Sequence, residues 1–245
     1  MLKTSHWKSS LDWVQLQLRR SARLIVVTGN TARYRVEGPR LEDALRRVGK
    51  IEVLLDAGAG GGYYARYLYS RFAARLIALE PDPHLFHLLT RELSDIGNRV
   101  TLQQSSIPEI PLPDGSVDVA TCTQVLEHIP NDRAAMAELA RVIRPGGFLL
   151  ITVPQPPAPW LEGGHVREGY TLEALSCLAQ PNYLELVDFD WFLTRSTQLV
   201  IMRAKRRGGL SAGFWNLGEL KQTKELRQQS LPYGLLALFK KSGKH

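Results

Sequence analysis

Residues 54–62 read Leu54-Leu55-Asp56-Ala57-Gly58-Ala59-Gly60-Gly61-Gly62, and eighteen residues further on Glu80 closes the run Leu76-Ile77-Ala78-Leu79. The apolar stretch from Ile51 has the character of a buried parallel strand. The glycines after it permit a tight turn and close backbone approach to a ligand. A carboxylate at the end of the second apolar run can accept both hydroxyls of a ribose. A glycine loop alone says little, but loop, spacing and acidic strand end together describe a site for an adenosine-type cofactor.

Working outward, strands and amphipathic helices alternate from Ile51 to Val153. The pattern predicts strands over Ile51–Asp56, Arg75–Glu80, Asn98–Gln103, Val117–Cys122 and Phe148–Val153. Between them it predicts helices over Tyr63–Phe72, Pro83–Asp95 and Asn131–Arg144. Asn131 or Asp132 can cap the last of these, and Pro145-Gly146-Gly147 is expected to end it. Such repeats make a mainly parallel sheet with helices on both faces and right-handed crossovers. Beyond Pro154, Gln155–Glu168 reads as a loop over the strand ends. Thr171–Ala179 follows as a short helix capped by Thr171, Tyr183–Phe189 as a strand, 195–230 as a basic and mostly helical stretch, and Tyr233–Phe239 as a last strand. Ahead of the core, Trp7–Arg23 is an amphipathic helix ending in arginines, suited to lie as a lid across the domain or against a membrane surface.

The chain has 245 residues, enough for one good core, with 44% hydrophobic and 22% charged residues as in ordinary globular proteins. No basic-then-apolar leader opens it and no apolar run approaches membrane-spanning length, so a cytoplasmic location without a transmembrane segment is expected. Cys122 and Cys177 stand far apart, as in a reducing compartment, and form no metal cluster or disulfide framework. The net charge of +7 is unevenly spread. Residues 1–50 hold eleven Lys/Arg against four Asp/Glu and residues 203–245 hold ten against two, whereas residues 51–202 hold ten against eighteen. Basic flanks can draw in an anionic acceptor, a nucleic acid or an acidic membrane face, or simply be solvated surface.

In open parallel sheets, ligands sit beyond the carboxyl ends of the strands. Asp56, Glu80, Ser105-Ser106 and Thr123-Gln124 all fall at such ends. Here the sequence resembles the class I S-adenosylmethionine-dependent methyltransferases, in particular the small-molecule branch of ubiquinone-biosynthesis type. The matching blocks are Leu55–Gly62, Leu79-Glu80-Pro81-Asp82, Pro111–Asp118, Val125-Leu126-Glu127-His128-Ile129 and Arg144-Pro145-Gly146-Gly147, in family order across 51–153.

The resemblance implies an α/β, Rossmann-like sheet of seven strands in the order 3-2-1-4-5-7-6, the last antiparallel, with helices on both faces. It divides a single domain into a helical extension over 1–50, a cofactor-binding core over 51–153 and an acceptor side over 154–245. It implies S-adenosylmethionine as cofactor, S-adenosylhomocysteine as product, and no metal. Gly58, Ala59, Gly60 and Gly62 would pass under the methionine moiety with Asp56 supporting them. Glu80 would hold the ribose, and Pro81 and Asp82 would flank the adenine. Ser106 stands where the family often has an adenine-binding Asp, with Ser105 and Ile107 beside it. Thr123, Gln124 and Val125 would line the methionine end.

Methyl transfer from a sulfonium needs an aligned acceptor and, for a hydroxyl or amine, removal of its proton. His128, beside the site, and His165, in the loop above it, are the candidate bases; Glu127-His128 also has the look of a structural pair. Tyr63, Arg167 and Tyr170 are candidates for touching the acceptor, although the last two could merely cap the following helix. The expected acceptor is a small molecule, a lipid-linked intermediate or a saccharide, with peripheral contact to an anionic membrane among the possibilities. A dehydrogenase is disfavoured by the downstream blocks. A nucleic-acid methyltransferase is disfavoured because no Asn/Asp-Pro-Pro-Tyr/Phe block follows the fourth strand. A non-catalytic binder of the same cofactor is the third rival.

Overall fold

The computed structural model describes residues 28–157, 164–195, 198, 224, 229 and 232–243. The helix expected over Trp7–Arg23 and nearly all of 195–230 lie outside these residues. A seven-stranded sheet in the order β3-β2-β1-β4-β5-β7-β6 forms the centre. Its strands are β1 (Ile51–Ala57), β2 (Ala73–Leu79), β3 (Val100–Gln103), β4 (Val117–Thr123), β5 (Ile143–Pro154), β6 (Leu184–Thr194) and β7 (Pro232–Lys241). The first five pair in parallel, while β7 runs antiparallel between β5 and β6. This is the fold and strand order that the resemblance implies.

The strands read as unbroken apolar runs because both faces are covered. Val53 and Leu55 of β1, Leu149 and Ile151 of β5 and Leu235 and Phe239 of β7 pack to one side with Met136 and Leu139 of α4 (Asp132–Val142) and Leu175 of α5 (Leu172–Ala179). Their neighbours Leu54, Leu150, Leu236 and Leu238 face the other layer. There they meet α1 (Thr28–Val48), the short α2 (Tyr63–Tyr67) and α3 (Pro83–Leu93). The period of two thus sorts each strand between two cores. Asn131 and Thr171 cap α4 and α5 by accepting from the amides of Ala134 and Ala174.

Several local expectations are corrected. The helix drawn over Tyr63–Phe72 breaks after one turn: Leu68 leaves helical geometry at φ −125°, ψ −69°, and a 3-10 turn follows over Tyr69–Arg71. Pro145-Gly146-Gly147 does not end α4, which already stops at Val142. Instead the chain enters β5 at Ile143, and Arg144–Gly147 bulge out of the pairing between Val117↔Ile143 and Val119↔Phe148. The third strand starts two residues late, after a 3-10 turn over Gly97–Arg99. The sixth continues to Thr194, five residues past the expected end.

Helix α1 was not singled out within the helical extension. Its buried stripe of Val36, Glu37, Arg40, Leu41, Ala44 and Leu45 includes two charges, and Pro39, a helix breaker by propensity, stands on its exposed side. The charges are compensated by tertiary contacts: Arg40 lies 3.6 Å from Asp190 on β6, and Glu37 accepts from the Tyr64 hydroxyl. Among the described residues no helix is long and apolar enough to cross a membrane.

Candidate active site

The carboxyl ends of β1, β2 and β4 open into one cleft of about 1730 Å³, roomy by the standard of small-ligand sites at about 300–1,000 Å³. Its floor is the glycine loop. The amides of Gly58 and Ala59 donate to the Leu79 carbonyl at 3.0 and 2.8 Å, which curls the loop over the end of β2. Gly58 has φ +82°, and a Cβ there would stand 2.5 Å from Cγ2 of Val125, so the β4 end packs directly on its backbone. Gly60 differs. At φ +55° nothing of the protein lies within 4 Å of where its Cβ would be, so its open side is the cleft itself.

Glu80, 6% exposed, follows β2 and lines the cleft. One carboxylate oxygen accepts from the Gly60 amide at 2.8 Å and the other from the Asp82 amide at 3.0 Å. The loop and the acidic strand end therefore act as one unit, and each carboxylate oxygen keeps a lone pair for a ligand hydroxyl. Asp56, 1% exposed, lies beneath, with the Thr121 hydroxyl 3.3 Å from Oδ1. Burial pushes its carboxyl up to about 7, against the hydrogen bond from Thr121 and with help from the Glu80 charge.

The structure brings Asp56, Gly58, Ala59, Gly60, Tyr63, Glu80, Pro81, Thr123, Gln124, Val125 and His128 to the cleft wall. Other sequence candidates have different surroundings. Gly62 is buried against Leu89, and Asp82 caps α3 through the Leu85 amide. Ser105 donates to the Glu109 carbonyl, and Ile107 is buried in the core. Ser106 stands ahead of the 3-10 turn Ile107–Glu109. None of these five is on the wall.

Arg167 and Tyr170, considered as acceptor contacts or helix caps, do not cap the helix, and their described hydrogen bonds run within the protein. The Arg167 guanidinium donates to the carbonyls of Leu126, Ile129 and Pro130 and to the Tyr170 hydroxyl, which donates in turn to Asp132. Their polar groups are spent stapling residues 164–170 to the turn after β4, while Thr171 is the cap. His165 is half-buried against His128, ring centroids 4.5 Å apart and planes perpendicular.

The sequence reading missed the contribution of α1. Arg33 donates to Gln124 Oε1 at 3.0 Å, and Gln124, held at φ +55°, donates its amide to the Thr152 carbonyl. A non-glycine residue in that region at the end of β4 is a strained point held by its surroundings. Behind it Glu37, fully buried, accepts from the Tyr64 hydroxyl at 2.6 Å. Desolvation raises the Glu37 carboxyl, opposed by Arg33 and by hydrogen bonds from Thr152 and Tyr64. The rings of Tyr34, Tyr63, Tyr64 and Tyr67 interlock along the same wall. Three tyrosines within five positions of the glycine loop were the available signal. Six arginines also line the cleft: Arg33, Arg35, Arg66, Arg71, Arg91 and Arg99.

Residues 55–151 match the family model described as a methyltransferase domain. An "Uncharacterized methyltransferase" of Mycobacteroides abscessus is 35% identical over 113 residues, 46% of this chain and 42% of the relative. A "Probable S-adenosylmethionine-dependent methyltransferase" of Mycolicibacterium smegmatis is 38% identical over 102 residues, 41% of this chain and 37% of the relative. The matched segments thus span about two-fifths of the length of these curated relatives. Among solved structures, the N-methyltransferase NodS of Bradyrhizobium japonicum, in complex with S-adenosyl-L-homocysteine, superposes with TM-score 0.57 at 16% identity, covering 83% of this chain and 86% of that one. That likeness establishes a shared fold.

Proposed function

With a methyltransferase domain across residues 55–151 as premise, we propose that this chain transfers a methyl group from S-adenosylmethionine to a small-molecule, lipid-linked or saccharide acceptor. The observation that carries this is the coupling of Glu80 to the glycine loop through the Gly60 amide, at a cleft onto which Gly60 presents bare backbone. A carboxylate fixed by two amides is preorganised to receive a ribose diol, and the open loop admits a ligand chain against it. The cleft exceeds what the donor alone needs, so donor and acceptor share it. S-adenosylmethionine supplies an electrophilic methyl group when bound. The chain's part is to align the acceptor, keep out water and, where the acceptor carries a proton, take it up at an imidazole of His128 or His165.

In this reading 51–153 serves as the cofactor half, with 1–50 an extension of it and 154–245 the acceptor side. Arg66 and Arg71 are paired with Glu92, Asp95 and Glu42, and Arg35, Arg91 and Arg99 on the same wall favour an anionic acceptor, consistent with the basic flanks of the sequence. Contact with an anionic membrane surface and a cytoplasmic location belong to the same reading.

Calorimetry with S-adenosylmethionine on the natural chain and on Glu80→Ala is the direct test. Two charge-assisted hydrogen bonds predict a loss on the order of 10²-fold in affinity, with the fold verified by thermal melting. An unchanged affinity in Glu80→Ala, or tighter binding of a nicotinamide dinucleotide, overturns the assignment. A labelled-methyl screen against metabolites then separates an enzyme from a non-catalytic binder.

A further inference from the structure

Beyond the donor site, the cleft wall carries a second cluster with its own chemistry. Glu127 and His128 lie in the 3-10 turn Leu126–His128 that follows β4, and His165 comes from the far side of the 154–170 connection. One carboxylate oxygen of Glu127 and one ring nitrogen from each histidine lie within 4.8 Å of one another. Ligands bound at roughly 2.0–2.2 Å to a tetrahedral or octahedral ion stand about 3–4 Å apart, so closure requires shifts of about an ångström. Glu127 is 1% exposed, His165 half-buried, and His128 exposed on the cleft.

Two loops would not ordinarily hold such a geometry, but these are tied together around the cluster. The Val166 amide donates to the Glu127 carbonyl at 3.0 Å, directly between the two ligand segments. Arg167 adds bonds to the carbonyls of Leu126, Ile129 and Pro130, at 3.0, 2.7 and 2.9 Å. Each ligand therefore sits within two residues of a cross-link. Support of this kind separates a preorganised site from a chance encounter of polar side chains.

We propose that Glu127, His128 and His165 bind one divalent first-row transition ion of the Zn²⁺ class. Two imidazoles and one carboxylate form a borderline donor set, suited to such ions and poor for Mg²⁺ or Ca²⁺, which prefer all-oxygen shells. Three protein ligands leave a fourth position, the pattern of a working rather than a structural site. His128 connects the ion to the cleft, where an oxygen of the acceptor would take the open position. That role rests on the methyl-transfer reading, whereas metal binding itself does not. The expectation of a metal-free protein is replaced here, and an imidazole that holds the ion is no longer a free base.

The test uses the chelator-stripped chain, titrated with Zn²⁺ by calorimetry and with Co²⁺ by visible absorption. One ion per chain is expected, with the affinity falling at least about tenfold in His128→Ala and in His165→Ala. His128 is exposed, so its variant keeps the fold even if His165→Ala does not, and melting curves verify this. His84 and His87 are exposed on α3 and could bind zinc on their own, so the double variant His84→Ala/His87→Ala must retain the site. No stoichiometric binding, binding indifferent to His128→Ala, or binding lost with His84 and His87 would each overturn the assignment. None of these readouts depends on S-adenosylmethionine, so failure here leaves the donor-site calorimetry untouched.

Discussion

Substituting Gly58→Ala perturbs the loop through two separable costs. At φ +82° an L-residue pays about 1–2 kcal/mol over glycine. The new methyl would lie 2.5 and 2.8 Å from the two γ-carbons of Val125, where carbon contacts settle near 3.5–4.0 Å, so overpacking adds about 1–3 kcal/mol. The single variant should lose about 2–5 kcal/mol in urea unfolding followed by tryptophan fluorescence, at unchanged m-value. Val125→Ala alone removes two half-buried methyls and should cost about 1–2 kcal/mol. In the double variant the clash partner is gone and the backbone cost remains. A favourable coupling of about 1–3 kcal/mol is therefore expected, leaving the double about 2–4 kcal/mol below the natural chain. Strict additivity would show that Val125 does not press on the loop, and the account of why glycine stands at 58 would be wrong.

Asp56→Asn tests the buried carboxyl at the loop's base. Its folded pKa, about 7, lies above the unfolded value, so the ionised form destabilises the native state, and that penalty grows as pH rises from about 4 to 7 and then levels off. The stability of Asp56→Asn relative to the natural chain should accordingly increase across that window in parallel urea titrations; a flat difference refutes it. Tyr64→Phe removes the hydroxyl that donates to buried Glu37 and should cost about 1–3 kcal/mol. Because Glu37 is already raised by burial, the loss should shrink at acid pH, where the group is protonated in both states, and melting at two pH values checks this. Arg167→Lys keeps the charge but not the fork that reaches three carbonyls, and should cost about 2 kcal/mol with faster amide exchange over 126–132. A change under about 0.5 kcal/mol, the scale of surface substitutions, would mean the staple does not hold.

The core over residues 51–153 was legible because its signals are local. Glycines at fixed offsets, an acid at the end of an apolar run, and strands covered on both faces leave marks within a few residues of one another. What escaped the sequence depends on tertiary partners. Helix α1 carries Glu37 and Arg40 in its buried stripe, and partners on other elements, Tyr64 and Asp190 among them, help make those charges tolerable. Arg167 and Tyr170 read as acceptor contacts because polar residues in a loop near a site usually face it. Arg167 instead reaches backbone carbonyls and Tyr170 the Asp132 carboxylate, partners that no local sequence pattern displays. The break after Tyr67, where Leu68 leaves helical geometry, likewise has no mark in the local sequence. The positive φ of Gln124 has no sequence mark, since glutamine is not the residue one would choose for it.

The place of β7 has a consequence for how the chain assembles. It pairs with β5 from Phe148 to Pro154 and with β6 from Leu184 to Thr194. Everything from Gln155 to Leu231 must therefore be synthesised before β5 gains its second neighbour. Until then the sheet built from residues 51–154 presents an open, apolar strand edge, a template for mispairing with other chains. Its partner arrives by a long-range contact, the slow kind in folding kinetics. Losing the last dozen residues would leave that edge permanently open and strand β6 without a sheet to join. Aggregation would then strike the half of the molecule that holds the glycine loop, far in sequence from the deletion.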